Sequence, residues 1–461
     1  MRASPPVRAY DGTVRALALG VRGASRLART GAGTSLPGLV IQKLDPGFVR
    51  RRAARLDGGI VVVSGTNGKT TTAAMIAAIL RSGGDGVVTN ASGANLFRGV
   101  AASLATMPTG SRAGVFEVDE GALARLVPAL RPRALVLTNV FRDQLDRFGE
   151  PETVAGLLGD AARLVRGTGA VVANVDDPLL WHAVRDTEPV GYGVVTPPEP
   201  PEMVAGGPVF DAEPEVCPRC GGPLAYRRRT IAHLGAASCA ACGWSTADPP
   251  FLAEVRGAST FDSMSLRLSD VDVDVGIGGL HNAYNAAAAV AAASTFGVTA
   301  RDAAVALREF SARFGRTERL DVDGARVWVL LMKNPAGASV LVRQVVAERR
   351  VGAVLLMVSD RDADGRDVSW IWDANFEPLV RRGLPIVAGG IRAADVAVRV
   401  KYADGETVAV EPDPGRALAA ARGAAPSGTD VAALATYTSM LDLRGAALGS
   451  KVDAVAEVAP V

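Results

Sequence analysis

The sequence predicts an α/β protein made of two wound units in one chain. Three observations predict it. Short apolar runs such as Ile60–Val63, Ala134–Thr138 and Val354–Val358 recur, separated by helix-length segments. A glycine-rich loop joins the first of these runs directly to a helix. The alternation restarts near Val327, after a middle region of different composition. At 461 residues, 48% hydrophobic and 21% charged, the chain has the length of about three domains at roughly 150 residues each, and enough apolar surface for real cores.

In order, residues 1–56 are rich in Arg and Gly, with a helix expected over Val14–Leu27 and a turn at Pro37-Gly38. Ile60–Val63 has the unbroken apolar character of a parallel strand buried on both faces. An Ala-rich helix to Leu80 follows the glycine-rich loop. Further strands are expected at Gly114–Val118, Ala134–Thr138 and Ala170–Ala173, with helices at Gly121–Leu130 and Glu152–Val165. Pro197–Pro208 is rich in Pro, Gly and Glu and marks a linker or insertion boundary. Residues 217–242 hold all four cysteines. Residues 251–280 carry short strands, alternating through Phe261, Met264, Leu266 and Leu268, and an Ala-rich helix spans Asn282–Phe296. The second unit comprises strand Val327–Leu331, helix Gly337–Arg349, strand Val354–Val358, strand Pro385–Val387, helices Ala393–Val398 and Pro414–Arg422, and strand Val431–Ala435.

Charge narrows the function classes. Lys plus Arg is 50 and Asp plus Glu is 48, which supports neither a basic nucleic-acid coat nor an acidic tail. Only five residues are lysines, and none lies between Lys69 and Lys333. Base composition accounts for most of that scarcity, so the exceptions are of interest. No apolar run approaches the ~18 residues of a membrane span, and Met1–Tyr10 lacks the apolar segment of a signal peptide.

Gly65-Thr66-Asn67-Gly68-Lys69-Thr70-Thr71 follows a strand and opens a helix. Glycines let backbone N–H groups turn toward an anion, and the helix N-terminus adds about half a positive charge. Lys69 can reach the β- and γ-phosphates, and Thr70 can place its hydroxyl on Mg²⁺. The spacing is G-x-x-G-K-T rather than the longer Walker pattern. ATP binding is therefore expected. Cys217, Cys220, Cys239 and Cys242 form C-x₂-C-x₁₈-C-x₂-C, the spacing of a structural zinc site closed by four thiolates. Arg227-Arg228-Arg229 beside it is more often a solvated face than a nucleic-acid contact.

The string Ser64–Thr72 resembles the phosphate loop of the Mur ligase and folylpolyglutamate synthase superfamily, which activates carboxylates as acyl phosphates for attack by an amine. The resemblance implies a central ATP-binding domain, here 57–315, with the ribbon inserted at 212–247 and a short segment, 1–56, before it. It implies Mg²⁺ at Glu117, with Glu120 as second choice. Thr138–Arg147 is similar to a family segment in which Gln144 stands where a metal-site histidine is usual. His281-Asn282-Ala283-Tyr284-Asn285 resembles the segment near adenine, implying Asn282 and next Asn285 as nucleotide contacts. Phe314–Arg319 resembles the segment joining the central and C-terminal domains, with Arg316 facing the phosphates. The carbamylated lysine that many members place about fifteen residues past the histidine has no counterpart near Leu157–Asp160. Metal is thus expected to be held differently.

The strings Lys333–Gly337, Asp362–Asp373 and Ala435–Arg444, with the four-Cys ribbon, resemble the MurT family across roughly residues 14–447. That implies a Rossmann-like α/β C-terminal domain, 316–461. It also implies amidation of the D-glutamate α-carboxyl of lipid II by ammonia from a GatD-type glutaminase subunit, at the inner membrane face. Asp360 matches a ribose-contacting position, and Asp367 and Asp373 are the candidate catalytic aspartates beside Lys69. With four cysteines committed to zinc, His182, His233 and His281 have no free thiol to serve, which independently favours a separate glutaminase. About sixty residues before the phosphate loop are few for the domain with which full Mur ligases grip UDP, which fits a lipid-linked substrate. The alternatives are an amino-acid-adding ligase of folylpolyglutamate synthase type and a zinc-ribbon nucleic-acid ATPase. The ribbon and missing lysine oppose the first; near-neutral charge opposes the second.

Overall fold

The structure is a computed structural model and describes residue 20 and residues 35–90, 94–143, 149–197, 216–257, 259–310 and 317–449. The helix expected over Val14–Leu27 (Gly20 apart), positions 198–208 of the linker, Gln144 and Arg316 lie outside the described residues.

The first unit begins with α1 (Ser35–Leu44), α2 (Phe48–Ala53), β1 (Gly59–Ser64), α3 (Lys69–Ser82), β2 (Gly86–Thr89), α4 (Phe97–Ala105) and β3 (Ser111–Glu117). It continues with α5 (Leu123–Leu130), β4 (Ala134–Leu137), α6 (Pro151–Val165), β5 (Ala170–Asn174), α7 (Pro178–Val184) and β6 (Val190–Val195). After β7 (Ala225–Arg229) and β8 (Gly235–Ser238) come β9 (Phe251–Arg256), β10 (Met264–Leu268), β11 (Val271–Val275), α8 (Leu280–Ser294) and α9 (Ala300–Arg308). Among the described residues, nine of these strands form one sheet in the order β11-β10-β9-β6-β5-β4-β1-β3-β2. It is parallel from β2 to β9, and β10 and β11 are added antiparallel.

Strand β1 lies between β3 and β4, with Val62 opposite Phe116 and Leu135. Val61, Val62 and Val63 are fully buried, because helices cover both sheet faces. The C-terminal end of β1 therefore opens at a switch point, where doubly wound sheets bind ligands. The Ala-rich α8 packs on α3, and its buried run Ala286–Ala289 keeps the two helices close. In β10, Met264, Leu266 and Leu268 are buried while Ser265 and Arg267 are half-exposed, which explains the period-two pattern. Phe261 departs from that pattern. It packs in the second unit's core, its ring 5.2 Å from that of Trp328.

The second unit comprises β12 (Thr317–Val322), β13 (Ala325–Leu331), α10 (Pro335–Ala347), β14 (Val351–Met357), α11 (Glu377–Arg381), β15 (Ile386–Gly389), α12 (Ala393–Tyr402), β16 (Thr407–Glu411), α13 (Pro414–Ala424), β17 (Asp430–Ala435) and α14 (Tyr437–Leu448). Its sheet order is β12-β13-β17-β14-β15-β16, parallel except for the β12–β13 hairpin. The edge strands β12 and β16 escape an apolar-run criterion because solvent-facing residues interrupt them, as edges require. The helix expected from Gly337 begins at Pro335, since Asn334 caps it through Gly337 N–H at 2.9 Å.

Strands β7 and β8 form a separate two-stranded ribbon between β6 and β9. Since β6 and β9 pair directly, the ribbon is an insertion in the first sheet's chain path. Among the described residues no helix is long and apolar enough to cross a membrane.

Candidate active site

Gly65 and Gly68 have φ of +120° and +85°, a region that penalises a Cβ. Space forbids one as well. A Cβ at Gly65 would lie 2.3 Å from Thr138 Oγ1, and one at Gly68 would lie 2.2 Å from Asn285 Oδ1. The loop between them is held by a second loop, 139–141. Thr66 N–H donates to Asn139 O (2.8 Å), Asn67 N–H to Asn139 Oδ1 (2.8 Å), and Phe141 N–H to Thr66 Oγ1 (3.1 Å). This leaves a preformed, glycine-hinged cradle at the N-terminus of α3.

Lys69 Nζ donates to Gly65 O, and to Glu120 Oε1 at 2.8 Å. Both side chains are nearly buried. Burial alone would lower the Lys69 ammonium's pKa, but the carboxylates of Glu120, Glu117 and Asp143 outweigh it and hold it above the ordinary lysine value. The cradle therefore holds a lysine cation at neutral pH. Thr70 Oγ1 donates to Glu117 Oε2 at 2.7 Å, so the two residues expected to flank Mg²⁺ are adjacent. A hydroxyl and a carboxylate are oxygen donors suited to that hard cation. Thr71 is buried in the first turn of α3.

The two asparagines of α8 divide their work. Asn282 is buried and donates to Gly278 O at 2.7 Å. Asn285 donates to Asn282 Oδ1 (2.8 Å), accepts from Thr72 Oγ1 (3.1 Å), and abuts Gly68. It is thus Asn285, ranked second from the sequence, that touches the phosphate loop.

The second unit contributes residues that sequence reasoning did not place in the site. Lys333 Nζ donates to Thr66 O (2.9 Å) and to Asp143 Oδ2 (2.7 Å). The amides of Asn334 and Asn67 exchange hydrogen bonds at 3.1 and 3.4 Å. The available signal was that Lys333, one of five lysines, opens a motif at a strand's C-terminal end.

The expected aspartates sit farther out. Asp360 faces Arg392 at 3.6 Å, and Arg361, Asp362, Arg366 and Thr438 line an open cleft with it. Asp367 is exposed and accepts from Ser369 N–H (2.8 Å), and that hydrogen bonding with Ser369 holds its carboxyl below the ordinary value. Asp373 is exposed, two residues before Asn375, whose N–H donates to Ser339 Oγ on α10. The described contacts tie none of these three to the phosphate loop.

The four cysteine Sγ atoms lie within 4.8 Å of one another, with Cys217–Cys242 at 3.7 Å and Cys220–Cys239 at 3.6 Å. A tetrahedron with Zn–S bonds of about 2.3 Å has edges of about 3.8 Å. Four thiolates at this spacing fit zinc and leave no ligand position for water.

Comparison with known proteins places this geometry. A family model described as Mur ligase middle domain matches residues 63–198, and one described as MurT ligase C-terminal matches residues 331–440. The chain is 35% identical over 379 residues to lipid II isoglutaminyl synthase (glutamine-hydrolyzing) subunit MurT of Streptococcus pneumoniae, covering 81% of this chain and 83% of the relative. It is 32% identical over 392 residues to the protein of that name from Staphylococcus aureus, covering 83% and 86%. Among solved structures, a pseudomurein peptide ligase type C from Methanothermus fervidus aligns with TM-score 0.64 at 19% identity, over 84% of this chain and 78% of that one. MurF from Acinetobacter baumannii aligns with TM-score 0.63 at 17% identity, over 88% and 80%. These structures share the fold.

Proposed function

Because the chain belongs to the MurT family, we propose that it is the ATP-dependent synthetase subunit of a lipid II isoglutaminyl synthase. It would convert the α-carboxyl of the D-glutamate in lipid II to the amide of D-isoglutamine. The carrying observation is the junction of the phosphate loop with Lys333 and Asn334, which brings the Mur-type ATP cradle to the MurT-type C-terminal unit.

The reaction has two steps. A carboxylate oxygen attacks the γ-phosphorus of ATP, and ADP leaves, giving an acyl phosphate. The nitrogen of neutral ammonia then attacks the acyl carbon; phosphate leaves and one proton is lost. In the first step the N–H groups of the first turn of α3 and the Lys69 ammonium hold the phosphates and stabilise charge on the transferring group. Thr70 and Glu117 are the residues to hold Mg²⁺, which would neutralise phosphate charge when bound. Asn282, Asn285, Arg316 and Asp360 are the candidates for holding the rest of the nucleotide. In the second step an exposed C-terminal aspartate, Asp367 or Asp373, orients ammonia or takes its proton.

Ammonia is mostly protonated at neutral pH, so delivery from a glutaminase is chemically sensible. The relatives are named as subunits of a glutamine-hydrolysing enzyme. A GatD-type partner is proposed here, with zinc in the ribbon and lipid II engaged at the inner face of the membrane. The test is ATP turnover and amide formation with lipid II, glutamine and the co-purified glutaminase. The reading fails if lipid II leaves ATP hydrolysis unchanged, or if DNA raises it.

A further inference from the structure

The zinc ribbon sits outside the reaction just described, yet its hairpin tip is buried in the ATP-binding domain. Ile231 and Leu234, between β7 and β8, belong to the same core as α3 and α8. One polar strut and one aromatic contact run from this hairpin toward the phosphate loop.

The first passes through Asp176, which is fully buried after β5. Its carboxylate accepts from the Arg228 guanidinium on β7, from Val194 N–H (2.9 Å), and from Tyr284 OH (2.9 Å). Thr230 Oγ1 of the hairpin lies 2.5 Å from the same Tyr284 hydroxyl, and Gly235 N–H donates to Asp176 O (2.6 Å). Tyr284 immediately precedes Asn285, the α8 residue that abuts Gly68. The second contact is made by His233, buried with its ring 4.8 Å from that of Phe141 and its Nε2 3.5 Å from Asp177 Oδ2. Asp177 Oδ2 accepts from Val140 N–H at 2.7 Å. The His233 and Asp177 contacts thus bear on loop 139–141, which holds Thr66 and Asn67.

The cysteines close the opposite, open end of the hairpin. Cys239 directly follows β8, and Cys220 lies five residues before β7. A two-stranded hairpin alone is marginally stable; here core packing holds the tip, and a metal on the four cysteines would hold the strands together at the other end.

We propose that the ribbon is a positioning device for the nucleotide, with Arg228 and Tyr284 as positioning residues that transmit its metal-dependent order to Asn285 and the phosphate loop. This rests on the ATP-binding reading above. Removing Arg228 leaves a buried carboxylate without its counter-charge, which forces Asp176 and then Tyr284 to shift. Removing only the Tyr284 hydroxyl breaks the strut with the ring kept.

The experiment measures binding of a fluorescent ATP analogue, KM for ATP and kcat, and melting temperature. It uses the complex with its glutaminase, with zinc content determined for each sample. Zinc-stripped protein, Arg228→Ala and Tyr284→Phe are expected to bind the analogue about tenfold more weakly, with KM raised in step and kcat within about twofold. Arg228→Lys, which keeps a donor to Asp176, is expected to recover most of the affinity. Arg227→Ala, whose side chain is exposed beside Asp248, is expected to match the parent. If the variants and the stripped protein lose melting temperature but keep ATP affinity within twofold, the inference is overturned and the ribbon is a stability element alone. If the parent itself binds no ATP, it is the functional reading that fails.

Discussion

Lys333→Met tests whether the second unit completes the ATP site. Among the described residues, Lys333 Nζ makes one ion pair, to Asp143 at 2.7 Å, and one hydrogen bond, to Thr66 O at 2.9 Å. The pair's side chains are 36% and 17% exposed, so solvent screens it, and it is worth about 1 kcal/mol. The bond to a carbonyl adds about 1 kcal/mol. Their sum of about 2 kcal/mol corresponds to roughly a 30-fold change in an equilibrium constant. If ATP is bound productively only when the two units meet, apparent affinity falls with the population of that arrangement. The expected result is a 10- to 30-fold lower kcat/KM for ATP in the amidation assay, with little change in melting temperature because both cores are untouched. A double-mutant cycle with Asp143→Asn should return a coupling of about 1 kcal/mol. A kcat/KM within twofold of the parent, or zero coupling, would refute the reasoning.

Gly68→Ala meets both a positive φ and the 2.2 Å approach of Asn285 Oδ1, so ATP affinity measured by calorimetry should fall at least tenfold, at about 1–2 kcal/mol for the backbone alone. Glu117→Gln keeps an acceptor for Thr70 but removes the charge; a Mg²⁺ titration of activity should shift to higher concentration with kcat down by roughly 100-fold. Asp367→Asn and Asp373→Asn should separate the two candidates. The catalytic one should lose amidation by roughly 100-fold with ATP binding retained, and equal activity in both would remove the assignment. His182 is held below the usual histidine range by desolvation and by the Arg185 guanidinium. It therefore binds fewer protons folded than unfolded. The stability it contributes is full above about pH 6.5 and is lost as pH falls through its folded value. Melting temperature should accordingly drop less between pH 7.5 and 5.5 in His182→Gln than in the parent.

Much of the site was legible because it is local in the chain. The phosphate loop and the cysteine pairs are made by neighbouring residues, and their spacing is their geometry. The strand Ile60–Val63 was equally plain, since burial on both faces demands an unbroken apolar run. Edge strands β12 and β16 were not legible, because one side meets water and charge interrupts the pattern. Phe261 was misplaced for a different reason. Its local alternation fits the first sheet, but it packs against Trp328 of the other unit.

By itself the sequence determined a glycine-hinged loop after a parallel strand, a four-cysteine cluster, and a second α/β unit opening on Lys333. Backbone chemistry and short-range spacing suffice for each of these. Only the tertiary structure decided which distant groups meet them. Lys333 reaches Asp143 across 190 positions, Asn334 reaches Asn67 across 267, and Arg228 of the ribbon reaches Asp176 across 52. Such contacts depend on how separately folded surfaces seat against one another, and no local periodicity encodes that. The scarcity of lysine, a compositional fact, acquired a spatial one: both motif lysines lie at the phosphate loop, one inside it and one arriving from the other unit.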